Sequence, residues 1–246
     1  MKQYITSLFI LPLSLSILAE DYPPGKTILD RVDQNMNART RIVQSTMEIQ
    51  GNRGSRTLEV KTWSEGDNKA FSEYLAPARE KGSKMLKLDN QLWIYSPSTD
   101  RIIQISGHML RQSVMGSDLS YEDMMDDAAL LERYQAEVTG AEEIRGRPCW
   151  ILELTAIVPE VNYYKQVLSI DRERYVPLKA DYYSKSGKLL KRISFDKVEQ
   201  IQGRWYPRTM LYKDMLKEGN GTLMNIVSLE LDVNIPATVF NKASLK

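Results

Sequence analysis

The chain is poor in the side chains that most often carry chemistry. It has one histidine, His108, and one cysteine, Cys149. A site built on two histidines is excluded, as are an internal disulfide and a cysteine-cluster metal site. An excess of one charge is lacking too. Lys and Arg number 33 against 32 Asp and Glu, so no global field draws the chain to nucleic acid or to an anionic membrane. There is no Gly-x-Ser-x-Gly elbow, no phosphate-cradling glycine loop and no dinucleotide fingerprint. After residue 19 no apolar run approaches the ~20 residues that cross a bilayer.

The beginning of the chain reads as a targeting segment. Lys2 is the only charge before Glu20, and residues 4–18 are mostly apolar or hydroxylic. Ala19 offers a small residue at the cut. This is the pattern of a secretory signal peptide over residues 1–19, an uncleaved N-terminal anchor being the alternative. Loss of Lys2 with it leaves 32 basic and 32 acidic residues. Residues 20–246 read as one domain, exported and soluble, with a lone thiol suited to an oxidising compartment.

Periodicity then organises the chain. Ile28, Leu29, Val32 and Met36 form one stripe at helical spacing, predicting an amphipathic helix over 27–37 with Thr27 as its cap. From residue 44 the period becomes two, and turn signals recur through residues 51–54, 66–68, 89–90, 96–98, 145–148, 186–188, 202–203 and 218–221. That spacing predicts one curved antiparallel sheet of about ten strands, mainly β, with a few helices and a short C-terminal helix opened by Pro236. Residues 106–128 follow neither period. They hold Met109, Met115, Met124 and Met125, with acids at Asp118, Glu122, Asp123, Asp126 and Asp127.

Catalytic readings find little support. Cys149 lies in a strand-like run, where a lone cysteine is usually a small buried hydrophobe, and this weighs against a dyad with His108. The acidic cluster lacks Ca²⁺-loop spacing and suits a solvated helix start better. No carboxylate pair is singled out for glycosidic cleavage. What stands out is apolar excess on a single sheet: Trp63, Trp93, Trp150 and Trp205 all fall in predicted strands. With few helices to cover one apolar face, a hollow for an apolar ligand remains, and methionine suits a wall that adapts to chains of varied shape. Ordinary core filler is the competing reading of the same methionines.

Several stretches resemble one family. They are Leu92-Trp93-Ile94-Tyr95-Ser96-Pro97 leading into residues 101–107, and Met115-Gly116-Ser117-Asp118-Leu119-Ser120-Tyr121-Glu122-Asp123-Met124. Further on come Tyr175-Val176-Pro177-Leu178, Tyr182-Tyr183, and Trp205-Tyr206-Pro207-Arg208. Together they resemble the outer-membrane lipoprotein-sorting proteins, the LolA-like periplasmic carriers, over about residue 27 to the end. The resemblance implies an unclosed β-barrel: a strongly curved antiparallel sheet with helices covering its concave side. It implies a hydrophobic cavity taking acyl chains of lipoproteins or other lipids, for movement toward the outer membrane, with no catalysis and no cofactor. An inner-membrane exporter is a further partner it suggests, and a lipid-sensing or exporter-associated module is the alternative role. The expected cavity and lid side chains are Trp93, Tyr95, Met109, Leu110, Met115, Leu119, Tyr121, Met124, Trp150 and Leu152. Arg101 and Arg111 are candidates to lock the lid.

Overall fold

The computed structural model describes residues 22–51, 54–125 and 130–246. The expected signal peptide, the middle of the 51–54 turn, and Asp126 and Asp127 lie outside these residues.

Thirteen strands form one antiparallel sheet among the described residues, where the sequence predicts about ten. The first six are β1 (Thr40–Gly51), β2 (Gly54–Glu65), β3 (Lys69–Ala76), β4 (Lys84–Leu88), β5 (Gln91–Ser96) and β6 (Arg101–Ile105). The other seven are β7 (Tyr134–Ile144), β8 (Arg147–Ala156), β9 (Lys165–Asp171), β10 (Pro177–Tyr183), β11 (Leu189–Ile201), β12 (Arg204–Asp214) and β13 (Thr222–Leu231). Neighbours in sequence are neighbours in space within each group, and β1 pairs with β13 to join the two. The edges, β6 and β7, do not pair with each other, so the barrel is not closed. The segment between them carries two 3-10 turns (Gly107–Arg111 and Val114–Gly116) and the short helices α2 (Tyr121–Met125) and α3 (Leu130–Arg133).

One longer helix, α1 (Gly25–Met36), packs on the second half of the sheet. Its stripe Ile28, Leu29, Val32 and Met36 joins a core with Tyr134, Leu152, Leu154 and Ile170. The helix starts two residues before the expected Thr27. Pro24 takes the N-cap position, its carbonyl accepting from Thr27 N at 2.9 Å, and no side chain caps. Gly25 permits this start: a Cβ there would stand 2.6 Å from the Ala136 carbonyl oxygen. Proline just before a helix supplies a fixed extended φ without needing an amide partner.

Both faces of the sheet are apolar, whereas the sequence reading covered one. Successive strand residues point to opposite faces. Thus Leu92 joins a cluster with Met47, Leu58, Val60, Tyr74 and Met85, while Trp93 joins a different one with Phe71, Leu86, Ile235, Phe240 and Leu245. The C-terminal residues that cover this second, outer face form two 3-10 turns, Ala237–Val239 and Lys242–Leu245, in place of the expected helix. The Lys242 ammonium sits 3.9 Å from the Trp93 ring centre, adding a cation–π contact.

Candidate functional site

Register fixes what lines the inner face. Met47 on β1 stands opposite Met224 on β13, and Met224 opposite Met210 on β12. One row therefore presents three methionines across three adjacent strands. A neighbouring row runs Val43, Thr62, Ser72 and Met85 across β1 to β4. These side chains, with Val60, Ala70, Tyr74, Tyr206 and Ile226, line an open cavity of about 330 Å³. Val114 and Met124 close over it from the segment between β6 and β7. The wall is chiefly apolar and flexible, the chemistry suited to hydrocarbon.

A second lobe of about 390 Å³ lies beside the first, with Arg41 and Tyr212 lining both. Its wall is polar. Gln166 on β9, Tyr182 on β10 and Lys191 on β11 lie side by side in one cross-strand row. Asp123 faces them from α2, accepting hydrogen bonds from Lys191 Nζ, from the Tyr163 hydroxyl, and from Ser120 N at 2.7 Å. Burial pushes the Asp123 carboxyl up, but the Lys191 charge and these hydrogen bonds outweigh it and hold the group below the usual carboxylate range. Burial and then the Asp123 charge push the Tyr163 phenol well above its ordinary value.

Residues 106–125 form a strap that packs Val114, Leu119 and Tyr121 into the inner cluster and is tied down by polar contacts as well. Asp118 anchors one side. Its N donates to Thr222 Oγ1 at 2.9 Å, and its carboxylate accepts from Thr222 Oγ1 at 2.8 Å and from Asp214 N at 3.0 Å. Lys217 adds bonds to Ser113 Oγ at 2.6 Å and to the Ser117 carbonyl at 3.0 Å. Asp123 anchors the other side and also closes a capping box with Ser120 at the start of α2. Arg56 donates to the carbonyl of Met115, a residue in the left-handed region at φ 49°. The Met115–Met124 run is thus a loop clipped at both ends by carboxylates.

The expected site residues separate into groups. Met124 lines the apolar lobe and Leu119 the polar one. Met109, Leu110, Met115 and Tyr121 pack in the same inner cluster. Trp93 and Tyr95 do not: they belong to the outer-face cluster, under the C-terminal segment. The run Leu92-Trp93-Ile94-Tyr95 is apolar at every position, so alternation alone gives no way to choose its inward side. Leu92 and Ile94 are the inward pair. Leu152 is fully buried in the core beneath α1, and Trp150 packs beside that core with its ring 5.5 Å from Tyr175. Neither borders the two lobes. Arg101 and Arg111 are both exposed, and the arginine that reaches the strap is Arg56. Sequence reasoning missed Met47, Met85, Met210 and Met224, whose signal was methionine at inward positions of predicted strands.

The dyad once weighed does not assemble. Cys149 is fully buried with Val176 and Leu178, and burial, reinforced by Asp171 and Glu142, raises its thiol to about 11. His108 is exposed on the strap.

Among the described residues, no helix is long and apolar enough to cross a membrane. No curated protein matches the chain. Solved structures do. A DUF1329 family protein from Desulfovibrio piger is 27% identical, with a TM-score of 0.80 over 92% of this chain and 100% of that one. A LolA superfamily protein from Nitrosomonas europaea is 24% identical, with a TM-score of 0.74 over 91% of this chain and 100% of that one. A Vibrio parahaemolyticus domain, named for outer membrane lipoprotein sorting, is 23% identical, with a TM-score of 0.76 over 90% and 97%. A family model carrying the description "Uncharacterized protein" matches residues 66–246. The chain belongs to that family, and its fold is the unclosed barrel shared with LolA-superfamily and DUF1329 proteins.

Proposed function

We propose that this chain is an exported periplasmic carrier that takes acyl chains of lipoproteins or other lipids into the apolar lobe and moves them toward the outer membrane. The observation that carries the reading is the methionine row Met47–Met224–Met210, left facing an open cavity beneath the strap. A row of unbranched side chains inside a sheet otherwise able to pack solidly is unexpected unless something else fills the space. Each CH₂ removed from water contributes about 0.8 kcal/mol, so a chain is held by area alone and no reactive group is needed. The buried, proton-retaining Cys149 fits a non-catalytic role.

The strap is the moving part in this reading. It touches both lobes, packs Val114, Leu119 and Tyr121 into the inner cluster, and is tied by hydrogen bonds and an ion pair that water can replace one by one. Closing buries the chain, and opening hands it to an acceptor membrane or protein that binds it better. Native mass spectrometry of the gently purified protein, followed by transfer of labelled lipid between vesicles, tests the proposal. Co-purified acyl lipid and accelerated transfer are expected. A protein that emerges empty and takes up no acyl chain contradicts it.

A further inference from the structure

We propose that one end of the sheet is a membrane-docking surface, fitted to a bilayer that carries anionic phospholipid. This goes beyond the carrier reading: it names where the chain meets a membrane and does not depend on the cargo. Antiparallel neighbours put every second connection at the same end of a sheet. Those after β8 (157–164), β10 (184–188) and β12 (215–221) therefore lie side by side. Backbone hydrogen bonds tie them together: Tyr164 N donates to the Tyr183 carbonyl at 3.0 Å, and Met215 N to the Leu190 carbonyl at 2.9 Å. Seven large apolar side chains are left exposed among the described residues, and four of them are here. Ile157 and Leu216 are each 58% exposed, Met215 39% and Tyr164 37%. Large apolar groups gathered at one place on a surface mark something that covers them.

The middle connection points to what that cover is. Residues 184–188 carry Lys185 and Lys188, both exposed, and no acid, with apolar tips on either side. The Lys185 ammonium stands 5.9 Å from the centre of the Tyr164 ring. Lys217 follows Leu216 and pairs with Asp214 at 3.3 Å. The acids of the three connections, Glu160 and Glu218, sit one at each flank. Lysine is depleted from protein interfaces. At a bilayer its stem lies along apolar groups while its ammonium reaches phosphate. Tips on separate turns can each enter between head groups, and tyrosine suits the same depth. Charge is balanced over the whole chain, so the attraction is local and turns this end toward the membrane. The strap is fastened at the same end: Lys217 bonds Ser113 and Ser117, and Tyr163 of the polar lobe immediately precedes Tyr164.

Flotation of the purified chain with vesicles of phosphatidylglycerol and phosphatidylethanolamine, against phosphatidylcholine alone, tests the surface. The anionic vesicles are expected to bind the wild type, and added salt to weaken the binding. Ile157→Asp with Leu216→Asp is expected to cut binding at least about tenfold, with an unchanged melting curve because both side chains stand in solvent. Lys185→Gln with Lys188→Gln is expected to cost about fivefold per lysine on the anionic vesicles and nothing on phosphatidylcholine. Both variants are expected to take up a fluorescent acyl probe from solution as the wild type does. A wild type that ignores anionic vesicles, or an Ile157/Leu216 variant that binds them undiminished, overturns the docking surface even where the acyl probe binds. Self-association in sedimentation velocity that the same variant abolishes, without vesicle binding, overturns it in favour of a second copy as the cover. Docking that persists in a protein taking up no acyl probe upholds this surface and removes the carrier reading alone.

Discussion

The Asp123–Lys191 pair makes the strap's attachment measurable. Lys191→Met removes the cation beneath α2 while keeping most of the side chain's length. Lys191 is 8% exposed and Asp123 15%, so the carboxylate is left largely desolvated. Removing one partner of a buried pair costs about 3–5 kcal/mol. Asp123 keeps its bonds from Tyr163 and Ser120 and borders an open lobe, which points to the lower end, about 3 kcal/mol or roughly a 100-fold shift toward the detached strap. Hydrogen exchange read on peptides within 112–125, against β11–β13 as internal reference, measures that shift. The pH dependence carries a second check. In the wild type the Asp123 carboxyl is held below its ordinary value, so its contribution is complete above the unfolded value of about 3.9 and is lost only as pH falls through the lower folded value. The strap should therefore stay protected from neutrality to about pH 4. Without Lys191, burial dominates and the carboxyl rises, so the variant recovers as acid neutralises it and the gap to wild type narrows. Equal protection of 112–125 in both proteins at pH 7, or a gap that widens in acid, refutes the reasoning.

Three further outcomes follow from the packing. Ala70→Phe places a ring in the apolar lobe and is expected to weaken a fluorescent acyl probe at least about tenfold, equivalent to ~1.4 kcal/mol, with an unchanged circular dichroism spectrum. Gly25→Ala drives a Cβ to 2.6 Å from the Ala136 carbonyl oxygen. Overpacking of this kind costs about 1–3 kcal/mol and should lower the calorimetric Tm by roughly 2–10 °C. Arg147→Met strips the bidentate partner, at 2.8 and 2.9 Å, from the fully buried Asp171. Burial raises the Asp171 carboxyl, but Arg147 and the Glu173 and Arg174 amides outweigh it and hold it low. The expected loss is about 3 kcal/mol at pH 7, read as urea unfolding, and it should shrink as acid protonates Asp171 in both proteins.

Much of the sheet was legible because its strands alternate and its turns are punctuated. Arg204–Asp214 opens directly after the turn expected at 202–203, Lys84–Leu88 ends at the one expected at 89–90, and the broken period at 106–128 marked the strap. Three things were not legible, each for a physical reason. Strand β5 is apolar on both sides, so nothing local tells Leu92 from Trp93; the covering Phe240 and Leu245 lie some 150 residues on. The helix start depends on how closely Gly25 approaches β7, a tertiary fact. The Met115–Met124 run stood out in sequence, but Asp118 and Asp123 take their partners from Thr222, Asp214 and Lys191, so the acids read locally as a solvated helix start. The site suffered most from the same cause. Its methionines come from β1, β4, β12 and β13, and register across strands, not proximity in sequence, brings them together.

The central claim is that hydrocarbon lies against the inner methionine row. An acyl glyceride bearing a mid-chain diazirine, photolysed with the protein and mapped by peptide mass spectrometry, tests it directly. Labelling centred on Met47, Met85, Met210 and Met224, abolished by competing unlabelled glyceride, is the expected result. Labelling centred on Trp63 and Trp93 of the outer face, or label that no competitor removes, would contradict it.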